Sequence, residues 1–248
     1  MRIFGFRPAL GPTLFTIPAI ALMLVLGTWQ VQRMNWKLDL LQTIHDRMVA
    51  APVPLPAGQF DPVPWEYRQV TITGRFRHAQ EIHLLAYTER GNLGYQVFTP
   101  LERSDGAAAG QVVIVDRGWV PTENKDAATR QPGQVEDLVT VTGLARLPWR
   151  QGWFVPDNDV AKNIWFYGDV TAMQLLDGIQ NMPAMFVAAG EAPNPGGLPI
   201  GGQTVLTLPN NHLEYALTWY AGAVVLAAIY VIWHRRRDND AAGKAQQK

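Results

Sequence analysis

The 248-residue sequence contains no cysteine. Disulfides, Cys-ligated zinc, iron–sulfur clusters and thiolate copper sites are therefore excluded, although the compartment is not fixed by that absence. An excess of charge is missing too, since 21 Lys and Arg balance 21 Asp and Glu. With no basic stripe, no nucleic-acid partner is expected. Serine occurs once, at Ser104 in the turn-like Arg103-Ser104-Asp105-Gly106, and there is no G-x-S-x-G, Walker loop or G-x-G-x-x-G. A membrane-tethered serine hydrolase would need Ser104 beside a base. Nothing around it carries that signature, no carboxylate pair stands out, and the sequence reads as a non-enzyme.

What the chain does have is two long apolar runs. Residues 13 to 31 are almost wholly apolar, with Pro18 near the start. A cleaved signal peptide is one reading. The run is long for that, it ends in the bulky Gly27-Thr28-Trp29-Gln30, and Arg33 follows soon after; an uncleaved anchor helix is the reading taken. The second run, Tyr215 to Trp233, carries no charge over about nineteen residues, enough to cross a ~30 Å hydrocarbon core as a helix. Arg2 and Arg7 precede the first run, and Arg235, Arg236 and Arg237 follow the second. Positive residues beside a span stay cytoplasmic, so both tails are expected inside and the middle outside. Arg33 and Lys37 oppose this, and the triple arginine decides. A cytoplasmic membrane facing a periplasm is the simplest setting.

The expected division is a tail over 1–12, a transmembrane helix over 13–32, a helical extension and proline-rich linker over 33–64, a β-rich domain over 65–210, a second transmembrane helix over 211–233 and a basic tail over 234–248. Residues 32 to 49 keep helical spacing, whereas Pro52, Pro54, Pro56, Pro62 and Pro64 mark an extended linker. From Tyr67 the period becomes two. Val70, Ile72 and Phe76 share one face and Gln69, Thr71, Thr73 and Arg75 the other, as in a half-buried antiparallel strand. Further strands are expected over 81–87, 95–101, 111–115, 138–144 and 184–188, separated by turn signals at Gly91-Asn92, Ser104-Asp105-Gly106 and Gly133. Val70-Thr71-Ile72-Thr73-Gly74 is echoed by Val139-Thr140-Val141-Thr142-Gly143; two similarly placed strands ending in glycine bulges and simple chance both account for it. A short helix follows Asp169 as N-cap, with Gly178 as its stop. The fold class is an α+β membrane protein: two transmembrane helices flanking a mainly antiparallel β domain, a sheet or small barrel with a short helix.

Candidate site residues cluster at the outer ends of the spans. A helix starting near Asn211 puts His212, Tyr215/Ala216 and Trp219 on one face. Two readings stand: an interfacial aromatic belt, or a ligand site with an imidazole. Antiparallel pairing of the spans through Ala19/Gly27 and Ala223/Ala227 would bring Trp29, Gln30 and Arg33 near that face. The set is chemically suited to a haem edge, with an imidazole for iron, rings against the macrocycle and a guanidinium for a propionate. His78 and His83 read as solvated surface, as does His45, and His234 belongs to the basic end. In Val115-Asp116-Arg117-Gly118-Trp119-Val120-Pro121, a glycine turn after a strand either packs Trp119 into the core or presents Arg117, Gly118 and Trp119 as a contact edge.

The chain resembles the surfeit-locus-one family of cytochrome c oxidase assembly factors. The resemblance rests on Leu26-Gly27-Thr28-Trp29-Gln30-Val31-Gln32-Arg33, Tyr67-Arg68-Gln69-Val70 with Gly74-Arg75-Phe76, Gly94-Tyr95-Gln96-Val97-Phe98-Thr99-Pro100-Leu101, the Val115–Pro121 motif, and Asn210-Asn211-His212-Leu213-Glu214-Tyr215-Ala216-Leu217-Thr218-Trp219, in that order. It implies a two-pass protein of the bacterial inner membrane with a periplasmic domain. It also implies a part in maturing subunit I of haem-copper oxidases by binding haem a and delivering it. The family's haem-associated histidine maps onto His212. The expected partners are oxidase subunit I, haem a synthase and the lipid bilayer. The expected cargo is haem a, held by His212 as iron ligand with Tyr215, Trp219 and Trp29 packing on the ring and Arg33 near a propionate. A haem-free scaffold gripping subunit I through the Arg117–Trp119 edge is the rival reading.

Overall fold

A computed structural model describes residues 7–87, 91–149, 151–176, 184–204 and 209–246. The expected stop at Gly178 and the segment just before Pro209 lie outside these residues. The chain divides into two compact units, Met1–Thr43 with Thr207–Lys248, and Ile44–Leu206.

The first unit pairs two helices, α1 (Leu10–Val49) and α3 (His212–Gln246). Both are long and apolar enough to cross a membrane, and only 6% and 11% of their most apolar windows are buried. Helices of a soluble core would be covered. Here Phe15, Leu22, Val25, Val224, Ile229 and Ile232 instead face outward. The 40 residues of α1 extend ~60 Å, about twice a hydrocarbon core, so the helix does run on past its apolar part.

The second unit is a β barrel. Its strands are β1 (Val53–Pro54), β2 (Gln69–Phe76), β3 (Ile82–Tyr87), β4 (Leu93–Arg103), β5 (Val112–Pro121), β6 (Val139–Arg146) and β7 (Phe186–Ala189). The order is β1-β2-β6-β7-β5-β4-β3, and an additional β2–β4 pairing closes β2, β6, β7, β5 and β4 into a ring. Closure leaves few edges to cap, which suits a small all-β unit. Pairing is antiparallel except for β1–β2 and β5–β7. The proline-rich segment is thus more than a linker: Val53 and Pro54 add a strand, and Leu55 enters the core at 2% exposure. Val70, Ile72, Phe98, Leu101, Trp165, Met173 and Phe186 form the centre of that core. A short helix, α2 (Val170–Leu176), is capped by Asp169, whose Oδ1 accepts from Ala172 N–H at 3.0 Å.

The repeated pentapeptide has a physical meaning. Its two copies are paired neighbours, Val70 opposite Gly143 and Gly74 opposite Val139 about a centre at Ile72–Val141, and the Thr73 and Thr140 hydroxyls meet at 2.8 Å. The glycines do not form bulges in this pairing. A Cβ on Gly74 would lie 2.1 Å from Glu102 O, and one on Gly143 would lie 2.1 Å from Ala188 O. Each glycine therefore admits the backbone of the next strand round the ring, and at Gly74 β2 exchanges β6 for β4. Strand β5 also departs from expectation. It continues through Pro121 rather than turning after Val115, with Gly118 at φ +117° carrying the backbone past Ile200.

Gly74→Ala is expected to lower barrel stability by ~2 kcal/mol or more, because backbone rather than a flexible side chain must move. Thermal unfolding followed by circular dichroism measures it; an unchanged Tm would refute closure at this point.

Candidate functional site

The helix pair is antiparallel, held along a seam of alternating three- and four-residue steps. On α3 the covered or half-covered positions include His212, Ala216, Tyr220, Ala223, Ala227, Tyr230 and His234; on α1 they include Thr13, Ile20, Met23, Gly27, Gln30 and Met34. Such spacing keeps one stripe facing the partner. Gly27 is a close-packing point, since a Cβ there would lie 2.7 Å from the Tyr220 ring. Both Gly27 and Ala223 are buried, as the small-residue expectation required. Polar groups along the seam meet across it. Thr13 and Tyr230 hydroxyls lie 2.6 Å apart and those of Thr28 and Tyr220 3.1 Å apart. Lys37 Nζ donates to Pro209 O.

His212 is part of this pattern. Its Nδ1 lies 2.7 Å from Gln30 Oε1. A carbonyl-type oxygen is an acceptor only, so Nδ1 carries the proton and donates. The lone pair is then on Nε2, which has no hydrogen-bond partner among the described residues. An imidazole whose other nitrogen donates to an oxygen is the usual arrangement of a metal-ligating histidine, because the bond fixes both tautomer and ring orientation. His234 contrasts with it. That ring is fully buried, its Nε2 accepts from Ala9 N–H at 3.1 Å and its Nδ1 donates to Tyr230 O at 2.8 Å. His234 ties α3 to the start of α1 and offers no nitrogen to a ligand.

The other expected residues differ in their exposure on the helix pair. Trp219 is half-buried, whereas Tyr215 and Trp29 are 56% and 52% exposed. Trp29 lines a groove of about 420 Å³ with Leu24, Val25, Thr28 and Gln32. Arg33 is exposed, and its guanidinium lies over Trp36, Cζ 3.8 Å from the ring centroid. The structure thus joins Gln30 to His212 directly and leaves two of the expected aromatic side chains, Tyr215 and Trp29, open at the surface of the same pair.

The expected contact edge in the barrel is not an edge. Arg117 and Trp119 are 2% and 9% exposed, because β5 is flanked by β4 and β7 and Gly118 packs beneath Ile200. Nor are His78 and His83 solvated. They border a buried ionic cluster on Glu81, itself 7% exposed. Arg130 Nη2 donates to Glu81 Oε2 at 2.6 Å and Arg117 Nη1 to Oε1 at 3.3 Å. Arg117 also donates to Gly133 O and rests against Phe76, Cζ 4.7 Å from the ring centroid. With its amide oriented to suit its neighbours, Gln134 donates to Glu81 and His78 and accepts from Arg130. One carboxylate between two guanidiniums excludes a cation, and among the described residues no group of three or more His, Cys, Asp or Glu side chains could hold a metal. The cluster fastens the 122–134 segment to the barrel, and no local sequence signal linked its members, which lie up to 56 residues apart between His78 and Gln134.

Electrostatics follow from this placement. Burial pushes the Glu81 carboxyl up, but the hydrogen bonds from Arg130 and the charges of Arg130 and Arg117 outweigh it and hold it at about 2. Burial lowers His83 to about 4, with Arg130 and Lys125 acting in the same direction and Glu81 and Asp126 opposing. Both folded values lie below the unfolded ones of 4.5 and 6.5. His83 therefore contributes stability above pH 6.5 that is lost as pH falls towards 4; Glu81 contributes above 4.5 and loses its share towards 2. The barrel is expected to weaken on acidification in that order, and His83→Gln should flatten Tm between pH 6.5 and 5. Glu81→Gln leaves two buried guanidiniums without their anion and should cost ~3–5 kcal/mol. Thermal melts across pH read both, and an acid response unchanged in His83→Gln would remove His83 from the account.

Two terminal helices long and apolar enough to cross a membrane, a closed barrel between them in sequence, and an oriented imidazole whose second nitrogen has no partner among the described residues define a two-helix, β-barrel protein with a candidate ligand site on the helix pair. The SURF1 family model matches residues 17–224. The chain is 38% identical to Surfeit locus protein 1 of Mus musculus over 237 residues, 90% of this chain and 74% of the mouse protein. It is 38% identical to the Homo sapiens protein of the same name over 226 residues, 85% and 72% of the two chains. A SURF1-like protein of Monosiga brevicollis is 34% identical over 91% of this chain and 88% of its own. The chain belongs to the SURF1 family.

Proposed function

We propose that this protein is an assembly factor for haem-copper cytochrome c oxidase that carries haem a as cargo and hands it to subunit I. In this reading α1 and α3 span the bacterial inner membrane with both termini in the cytoplasm. The barrel lies on the periplasmic side, and haem a synthase is the donor. The observation that carries the reading is the Gln30–His212 bond, which orients Nε2 of His212 as a donor for iron. Haem a brings an iron with an open axial position and a broad apolar macrocycle. The chain supplies a nitrogen, fixes its tautomer through Gln30, and offers Trp219, Tyr215 and Trp29 as apolar surface for the ring. The groove along Leu24, Val25 and Trp29 gives the cargo's apolar parts a route along α1. Arg33, already stacked on Trp36, keeps edge N–H groups for a propionate. A single replaceable ligand suits a carrier, since cargo held too tightly is not delivered.

Co-expression with a haem a synthase tests this. The wild-type protein should purify with a haem a spectrum. His212→Ala should lose the haem, and Gln30→Leu should weaken binding ~10–100-fold by releasing the ring. Colourless wild-type protein that copurifies with oxidase subunits would replace cargo transport with a haem-free scaffold. An unaltered spectrum at full occupancy in His212→Ala would remove His212 as ligand.

A further inference from the structure

Asp116 lies next to Arg117 but takes no part in the cluster on Glu81. Its carboxyl opens onto a separate cleft of about 250 Å³, whose polar side chains include Gln96, Arg146 and Gln203 and whose apolar wall is Trp149 and Phe186. The two rings meet edge to face with centroids 5.5 Å apart. The cleft holds one carboxyl and one guanidinium, and neither makes an ion pair among the described residues. Asp116 is 6% exposed, and among the described residues its carboxyl accepts a single hydrogen bond, from Gly118 N–H to Oδ1 at 3.0 Å. The Arg146 side chain has no ion pair or hydrogen bond among the described residues, and its Nε is buried without a partner. Its guanidinium is held over Tyr67, Cζ 4.7 Å from the ring centroid.

A buried donor left without an acceptor is costly, and proteins rarely keep one without a use. A guanidinium stacked on a ring has its position fixed and its edge N–H groups free, a fork that matches a planar two-oxygen anion. A cationic ligand would meet Arg146, and a neutral one would leave its charge uncompensated. The aromatic wall calls for carbon on the rest of the ligand. We propose that this cleft binds a small organic carboxylate, with its oxygens on Arg146, its body against Trp149 and Phe186, and Asp116 as proton donor to it. The proposal does not depend on the cargo site at His212.

The protonation of Asp116 gives the site a distinctive behaviour. Burial pushes its carboxyl up to about 7, against the pull of Gly118 N–H and Arg146. Opposite it stand Phe98 on β4 and Ala188 on β7, both uncharged, so Arg146 from β6 is the charged group that acts on it. An arriving carboxylate raises the Asp116 value further. Binding then takes up a proton near pH 7 and weakens as pH rises above it.

Benzoate is a suitable probe and benzamide its uncharged control, titrated calorimetrically into the purified full-length protein in two buffers of different ionisation enthalpy. Benzoate is expected to saturate a single site, to bind about tenfold more weakly at pH 8 than at pH 6, and to take up about half a proton at pH 7, rising towards one at pH 8. Arg146→Gln should weaken it by about tenfold or more, and Arg146→Lys, which keeps the charge, by less. Asp116→Asn retains the oxygen that Gly118 uses; it should bind benzoate with no pH dependence and no proton uptake. Benzamide binding as well as benzoate, no saturable benzoate binding at millimolar concentration, or Arg146 variants that bind like wild type would each overturn the proposal.

Discussion

The polar seam between α1 and α3 is the constraint from which the helix pair takes its form. In a hydrocarbon setting a hydroxyl, amide or imidazole finds no water, so each must find its partner on the facing helix. Thr13 meets Tyr230, Thr28 meets Tyr220 and Gln30 meets His212. These pairs fix the register of two helices whose apolar surfaces alone would allow sliding. A shift of one position would separate all three. The same demand that aligns the pair also sets the tautomer of His212. Packing and ligand chemistry are in this sense a single design: the bond that satisfies Nδ1 is the bond that leaves Nε2 available.

The barrel solves a different problem. Its ring closes because Gly74 and Gly143 let neighbouring backbones approach where any Cβ would collide. Closure buries positions that an open sheet would leave wet, and Glu81, Arg117 and Arg130 are among them. Such groups are tolerated only when they are mutually paired and hydrogen-bonded. The pairing here is dense: two guanidiniums, two imidazoles and an amide surround one carboxylate. Apolar side chains could fill the same volume with equal stability, but the ionic cluster adds direction, because each partner fits only when the 122–134 segment is in one place.

Much of this was legible in the sequence where the signal is local. The alternation in Arg68–Phe76 and the apolar runs each report on a periodicity within one segment, and β2, α1 and α3 formed where that periodicity indicated. The pairing of Gly27 and Ala223 with the facing helix followed from size alone. What stayed hidden depends on topology. His78 and His83 look like surface residues until β3, β5 and the 122–134 segment converge around Glu81. Arg117 and Trp119 left a buried turn and a contact edge both open, because the glycine between them resembled a turn, whereas Gly118 carries β5 onward beneath Ile200 and Trp119 is buried. The echo of Val-Thr-Ile-Thr-Gly was visible but not interpretable, since only pairing shows that the two copies lie side by side.

The polar groups of the described residues fall into two sets once satisfied partners are set aside. Thr99 Oγ1, Gln111 Oε1, Trp119 Nε1 and Asn210 Oδ1 are buried atoms without a bond and with no charge involved, and Arg117 Nε belongs to a guanidinium whose Nη groups are already engaged by Glu81 and Gly133. His212 Nε2 and the Asp116 and Arg146 side chains differ in kind. Each adjoins groups that hold it in a defined orientation, Gln30 in one case and Gly118 with Tyr67 in the other. Orientation of an unsatisfied group loses side-chain freedom and returns nothing to the folded state by itself. It makes sense when something outside the chain completes the bond. In the readings proposed above, the imidazole nitrogen on an apolar helix pair would take a metal-bearing hydrophobic cargo, and the guanidinium beside an aromatic wall would take an organic acid. The difference between the two sites therefore lies in the environments that the helices and the barrel impose on ordinary side chains.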